Sequence, residues 1–164
     1  MDSRPDIFDS ALRARRRDRM LPTYADHDFL HQAMLDELLD RLGDVQRDLP
    51  EALVIGCPDG RARAALEAMG KRVACVDPSF LAARAMNGVQ ADEDALPFAD
   101  DSFDLVLACG TLDSVNDLPG ALILMRRVLR PDGLMLAAFA GAGSLPRLKA
   151  ALLAAEGDRA GQHI

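Results

Sequence analysis

The sequence predicts an α/β fold in three layers, a mostly parallel sheet with helices on both faces, preceded by an α-helical segment. Three observations predict it. Four short runs are apolar almost without interruption: Ala52 to Gly56, Arg72 to Asp77, Asp104 to Gly110 and Gly133 to Ala140. Strands covered on both faces read this way, whereas strands with one wet face alternate. Between the runs lie stretches with helical spacing of about 10 to 15 residues, the rhythm of βαβ units. Residues 1 to 50 lack that rhythm and are rich in Arg, Asp and Leu.

The N-terminal segment, 1–50, carries two helical patterns divided at Pro22. In the second, from Asp28 to Leu42, Leu30, Met34, Leu38 and Leu42 recur every four residues with Leu35 and Leu39 alongside, which makes one apolar face that must pack on something. Pro50 ends it, because the residue before a proline is driven out of the αR region. The main domain, 51–156, places helices at 60–69, 79–87, 118–130 and Leu145 to Glu156, with a short strand at Gly88 to Gln90. In the helix at 118–130, Leu122, Met125, Val128 and Leu129 share a face, and Pro131-Asp132-Gly133 forms the stopping turn. A polar tail occupies 157–164.

Composition narrows the function. The chain has 164 residues, 49% of them hydrophobic, enough to bury a core in one domain. Its 19 basic and 26 acidic residues leave a formal charge of −7, so phosphate backbones and anionic lipid are repelled and neither nucleic acid nor a membrane is the expected partner. Cys57, Cys75 and Cys109 stand apart in apolar runs, neither a metal pattern nor a disulfide framework, as expected of buried thiols in a reducing compartment. No segment has the apolar length of a membrane span or the pattern of a secretory leader, so a soluble, cytoplasmic protein is expected. Arg13, Arg15, Arg16, Arg17 and Arg19 spread around a helix interrupted by Asp18, without interleaved aromatics, and read as a solvated or interdomain helix. His27 and His31 are spaced i, i+4 but lack a third ligand, so no metal site is expected.

In a doubly wound sheet, ligands bind beyond the carboxyl ends of the strands, near the reversal of strand order. Gly56-Cys57-Pro58-Asp59-Gly60 follows the first strand and opens a helix, so its glycines can bring backbone close to a ligand or simply make a tight turn. Asp77 ends the next strand about 20 residues later, where an acidic residue accepts from ribose hydroxyls. Alternatively, Asp77-Pro78-Ser79 starts a helix as an N-cap with proline in the first turn. Asp92, Glu93 and Asp94 precede the apolar Leu96-Pro97-Phe98. There Asp92 is placed to accept from a purine amino group or to sit in a solvated acidic turn.

Together, ALVIGCPDG, RVACVD, ADEDALPFADDSFDLVLACG and VLRPDGLMLAAF resemble the class I S-adenosylmethionine-dependent methyltransferases over about residues 50 to 145. With the flanks IFDSALRARRRDR and VNDLPGAL, the sequence is similar to the group of the mitochondrial complex I assembly factor 5 arginine hydroxylase, and to the malonyl-carrier-protein methyltransferases. The resemblance implies a Rossmann-like methyltransferase fold with S-adenosylmethionine as cofactor. It puts Gly56, Cys57 and Gly60 at the methionine part, Asp77 and Pro78 at the ribose, and Asp92 with the backbone of Glu93 at the adenine, with Leu96 and Cys109 as walls. No catalytic side chain is implied, since the sulfonium is already activated and the protein mainly aligns donor and acceptor.

The sequence departs from that family at defined places. Val54 stands where an acidic residue is usual, Pro58 where a further glycine is, and Asp113-Ser114 where His-Trp is common in the subgroup. The family's C-terminal strand pair is lacking, which leaves the strand at 133–140 as a sheet edge that invites a homodimer or cover from the N-terminal helices. Three readings of function stand: methyl transfer to an unknown small-molecule or protein acceptor, protein-arginine hydroxylation with a respiratory-complex assembly role, and a catalytically silent pseudo-methyltransferase serving as a binding scaffold.

Overall fold

A computed structural model describes residues 6–141 and 143–160. Two N-terminal helices come first. Asp9 caps α1 (Ser10–Met20) by accepting from the Leu12 N–H, and a 3-10 turn at Leu21–Asp26 leads to α2 (Phe29–Gly43). The sheet domain then runs β1 (Glu51–Ile55), α3 (Arg61–Ala68), β2 (Arg72–Asp77), α4 (Phe80–Ala85), β3 (Val89–Gln90), β4 (Phe103–Cys109), α5 (Leu118–Val128), β5 (Leu129–Ala138) and α6 (Pro146–Ala160).

The five strands lie in the order β3-β2-β1-β4-β5 with every pairing parallel. Order reverses between β1 and β4, so the loops leaving these two strands diverge and open a crevice at their carboxyl ends. Alternate side chains feed two cores. Val54, Cys75, Leu105 and Leu107 pack with Leu35, Leu38 and Leu42 of α2 and Leu66 of α3, while Leu53, Ile55, Val76, Val106 and Ala108 pack with Ala121, Met125 and Val128 of α5. The near-continuous apolar runs thus have the cause the sequence indicated: both faces are covered.

Boundaries differ from expectation where local chemistry overrides periodicity. The helix at 118–130 ends at Val128, and its expected Pro-Asp-Gly stop lies inside β5 as a bulge: Phe103 pairs Leu129 but Leu105 pairs Leu134. Asp132 takes φ +64 there, and Arg130 reaches back to the Asp104 carboxylate at 2.9 and 3.0 Å. In α2, Leu30 is exposed, because the buried stripe is Leu35, Leu38 and Leu42. The last helix continues to Ala160, so residues 157–160 of the expected polar tail are helical, while 161–164 lie outside the described residues. Among the described residues the outer edge of β5 is unpaired; α2 covers its face, through Leu134, Leu136 and Ala138, rather than its edge.

Candidate functional site

The crevice is built first by the turn after β1. Gly56 adopts φ +78, and a Cβ there would overlap the Thr111 side chain, so glycine is required by protein packing as well as conformation. Gly60 needs its φ of +75, and a Cβ there would make only an ordinary contact with Met86 Cγ at 3.9 Å. Between them, Asp59 accepts from the Arg61 N–H at 3.2 Å and from the Cys57 thiol at 3.6 Å, and the Arg61 guanidinium ties Asp59 to the buried Asp28 at the start of α2. Val54 is 1% exposed in the core, so this chain places an apolar side chain where the family's acid is expected.

Asp77 ends β2 with a fully buried carboxylate. It is not the cap of α4; Ser79 is, accepting from the Ala82 N–H at 3.0 Å, with Pro78 ahead of the cap. Asp77 instead accepts from the Ser79 N–H at 2.8 Å and from a two-pronged Arg17 of α1, Nε at 3.0 Å and Nη2 at 2.6 Å. Arg17 Nη2 also donates to the Gly56 carbonyl at 3.1 Å. Burial pushes the Arg17 guanidinium down, but its bonds and attraction to Asp77 outweigh that and hold it above its ordinary value.

One helical turn earlier, Arg13 forks onto Glu93, Nη1 to Oε2 at 2.6 Å and Nη2 to Oε1 at 2.7 Å, and adds the Thr111 hydroxyl at 2.8 Å. The Thr111 hydroxyl donates to Glu93 as well. Burial pushes the Glu93 carboxyl up, and these donors more than offset it, holding it below the usual carboxylate range. Asp18 completes the set from the same helix, accepting from the Ser79 hydroxyl and from the Leu81 N–H at 3.0 Å. Arg13 and Arg17 each keep only 13% of their side-chain surface exposed. Of the expected solvated or interdomain helix, Arg15, Arg16 and Arg19 are the exposed part, while Arg13 and Arg17 join the N-terminal segment to the sheet domain.

Two cavities flank these arginines. One, of about 370 Å³, lies between Ser10, Ala11 and Ala14 of α1 and Pro78, Gln90 and Asp92. The Asp92 carboxyl there is pushed above its ordinary value, by burial first and then by Glu93 and Asp94. The other, of about 660 Å³, has an apolar wall from Phe8, Leu12 and Met20 and a polar rim from Arg16, His31 and Asp113. Asp113 sits in a 3-10 turn and caps nothing; α5 is capped by Asp117, accepting from the Gly120 N–H at 2.9 Å. His31 Nε2 lies 3.4 Å from the Gly110 carbonyl oxygen, its ring tilted against Tyr24.

Of the residues singled out from sequence, Gly56, Asp77, Pro78, Asp92 and Glu93 converge on the crevice. Leu96 and Cys109 are buried in the cores on opposite faces of the sheet. All three thiols are free, and burial pushes Cys57 up to about 12 and Cys75 and Cys109 up to about 11. Arg13, Arg17, Asp18 and Thr111 were missed. The signal for the first two was present in their i, i+4 spacing, which puts both on one helix face.

A parallel sheet with its reversal between β1 and β4 and an acid at the end of β2 is the Rossmann-like fold of the class I methyltransferases. The chain belongs to the methyltransferase domain family, which matches residues 53–137. It is 35% identical over 169 residues to "Arginine-hydroxylase NDUFAF5, mitochondrial" of Danio rerio, covering 95% of this chain and 52% of that protein. It is also 32% identical over 164 residues to a "Malonyl-[acyl-carrier protein] O-methyltransferase" of Methylovorus sp. (strain MP688), covering 88% of this chain and 55% of that one. A SAM-dependent methyltransferase from Thermotoga maritima, titled a possible histamine N-methyltransferase, superposes with a TM-score of 0.60 at 22% identity over 74% of this chain and 58% of its own, a likeness of fold. The chain spans about half the length of the relatives it matches. Among the described residues no helix is long and apolar enough to cross a membrane.

Proposed function

We propose that this chain binds S-adenosylmethionine in the crevice and transfers its methyl group to an acceptor. The observation that carries the reading is Asp77: a fully buried carboxylate at the end of β2, one residue from the wall of a cavity that Asp92 rims. The donor set fits the nucleoside part. Asp77 would accept from the two ribose hydroxyls and Asp92 from the adenine amino group, with Pro78 and the small side chains of Ala11 and Ala14 bounding the base. The set offers less to the amino-acid part, because Val54 replaces the acid expected there. When bound, the cofactor supplies a methyl group already activated on a sulfonium. What the chain does is hold, orient and exclude water, and no side chain is needed as a nucleophile.

Similarity over 95% of the chain to a protein named an arginine hydroxylase favours a second reading, hydroxylation of a protein arginine. Val54, Pro58 and the occupation of Asp77 by Arg17 favour a third, a silent scaffold. Buried free thiols suit a reducing, cytoplasm-like compartment, and the relatives named mitochondrial make the mitochondrion the alternative. We also propose the open edge of β5 as the place of self-association, tested by light scattering across a concentration series; a monomer throughout contradicts it.

Calorimetric titration with S-adenosylmethionine and S-adenosylhomocysteine tests the main reading. Micromolar binding is expected, and Asp77→Ala should weaken it by about 1–3 kcal/mol, the loss of hydrogen bonds to a buried charge. An unchanged dissociation constant in the variant removes Asp77 from the site. No binding at millimolar ligand favours the scaffold.

A further inference from the structure

Helix α1 is attached unlike any other helix on the sheet. None of its residues is buried, and its hydrogen-bonded anchors are Arg13 on Glu93 and Thr111, Arg17 on Asp77 and Gly56, and Asp18 on Ser79 and Leu81. Two of the three anchors land on residues that a nucleoside would use or lie beside. The guanidinium of Arg17 presents two donors to Asp77, as a ribose diol would. A carboxylate this buried must be neutralised or bonded, and with Arg17 seated on it Asp77 is 0% exposed, so a ligand reaches it only where the guanidinium has moved.

We propose that α1 is a latch: it closes the nucleoside end of the crevice with the chain's own guanidinium groups, and a nucleoside-bearing ligand opens it by displacing Arg17 from Asp77. The proposal rests on the cofactor reading given above and deepens it. Little apolar surface is exposed on opening, because α1 contributes no side chain to either core. Apparent affinity for the ligand is then the intrinsic affinity scaled by the fraction of molecules that are unlatched, and weakening the latch anywhere raises it. Asp18 is the discriminating position, since it holds α1 to the start of α4 without touching Asp77, Asp92 or Glu93.

The test is S-adenosylhomocysteine titration of the full chain, its Asp18→Ala variant and its Arg17→Met variant, with hydrogen exchange of the α1 amides in each. Both variants should bind at least about fivefold more tightly than wild type, the low end of couplings between a two-state element and a ligand. The α1 amides should lose protection in the free variants and in wild type on adding ligand. Weaker or equal binding by Asp18→Ala, with α1 gaining protection in the complex, overturns the latch and makes α1 part of the bound state. If Arg17→Met does not fold, Asp18→Ala decides alone. Loss of α1 protection in the variants without binding by any form counts against the cofactor reading and leaves the ionic closure standing.

Discussion

Helices α1 and α2 are neighbours in sequence and sit on the same sheet domain, yet they are held by opposite means. Leu35, Leu38 and Leu42 of α2 are 3–5% exposed and belong to the core that also contains Val54, Leu105 and Leu107. Nothing in α1 is buried, and it is held by two arginines and an aspartate that reach outward to carboxylates and a helix start. The difference teaches what each can do. A leucine stripe has no substitute partner, so α2 stays as long as the domain is folded. An ion pair can exchange its partner for a ligand, so α1 can leave while the domain remains.

The largest effect expected from breaking this contrast is in α2. Leu38→Ala should cost about 2–5 kcal/mol of global stability, the transfer energy of the lost methyls plus the cavity, in urea unfolding. A loss below about 1 kcal/mol would mean that the leucine face is not core. Acid gives the next effect, read at α1 through Glu93. The Glu93 carboxyl is held below its ordinary value when folded, so the stabilisation from Arg13 is complete above the unfolded value of about 4.3 and fades as pH falls through the lower folded one. Protection of the α1 amides should therefore be flat from neutrality to about pH 5 and fall only in stronger acid; a loss centred near neutrality would contradict the assignment. Alkylation of the thiols sharpens the comparison from the core side. With Cys57 pushed up to about 12 and the others to about 11, all three should react slowly with iodoacetamide at pH 8 and quickly in denaturant. The smallest effect is at the exposed pair Arg41 and Glu37 on the far side of α2, where Glu37→Ala should change stability by about 0.3–0.5 kcal/mol.

Much of the sheet was legible in the sequence because one physical rule governs it. A strand covered on both faces has nowhere to put a polar side chain, so β2 was read at Arg72 to Asp77 as observed, and β1 and β4 within one residue at each end. The start of β5 was hidden, since Leu129 lies on the face of the preceding helix in periodicity but pairs with Phe103 in the structure. At the site, the positions of Asp77 at the end of β2 and of Asp92 in the loop after β3 were legible through the strand pattern. The arginines were not, because their partners lie 60 and 80 positions away along the chain and no local pattern ties them together. Counting charge around the whole helix hid the one face on which Arg13 and Arg17 align. Gly56 carries a constraint the sequence did not show: a Cβ there would meet the Thr111 side chain, 55 positions away.

Native-state hydrogen exchange across a urea series below the unfolding transition tests the contrast most directly, because it separates local opening from global unfolding. The α1 amides should exchange through a small opening insensitive to urea, while those of Leu38 to Leu42 exchange only with global unfolding. If the amides of both helices follow one urea-dependent line, α1 is part of the folded core and the two helices are held alike.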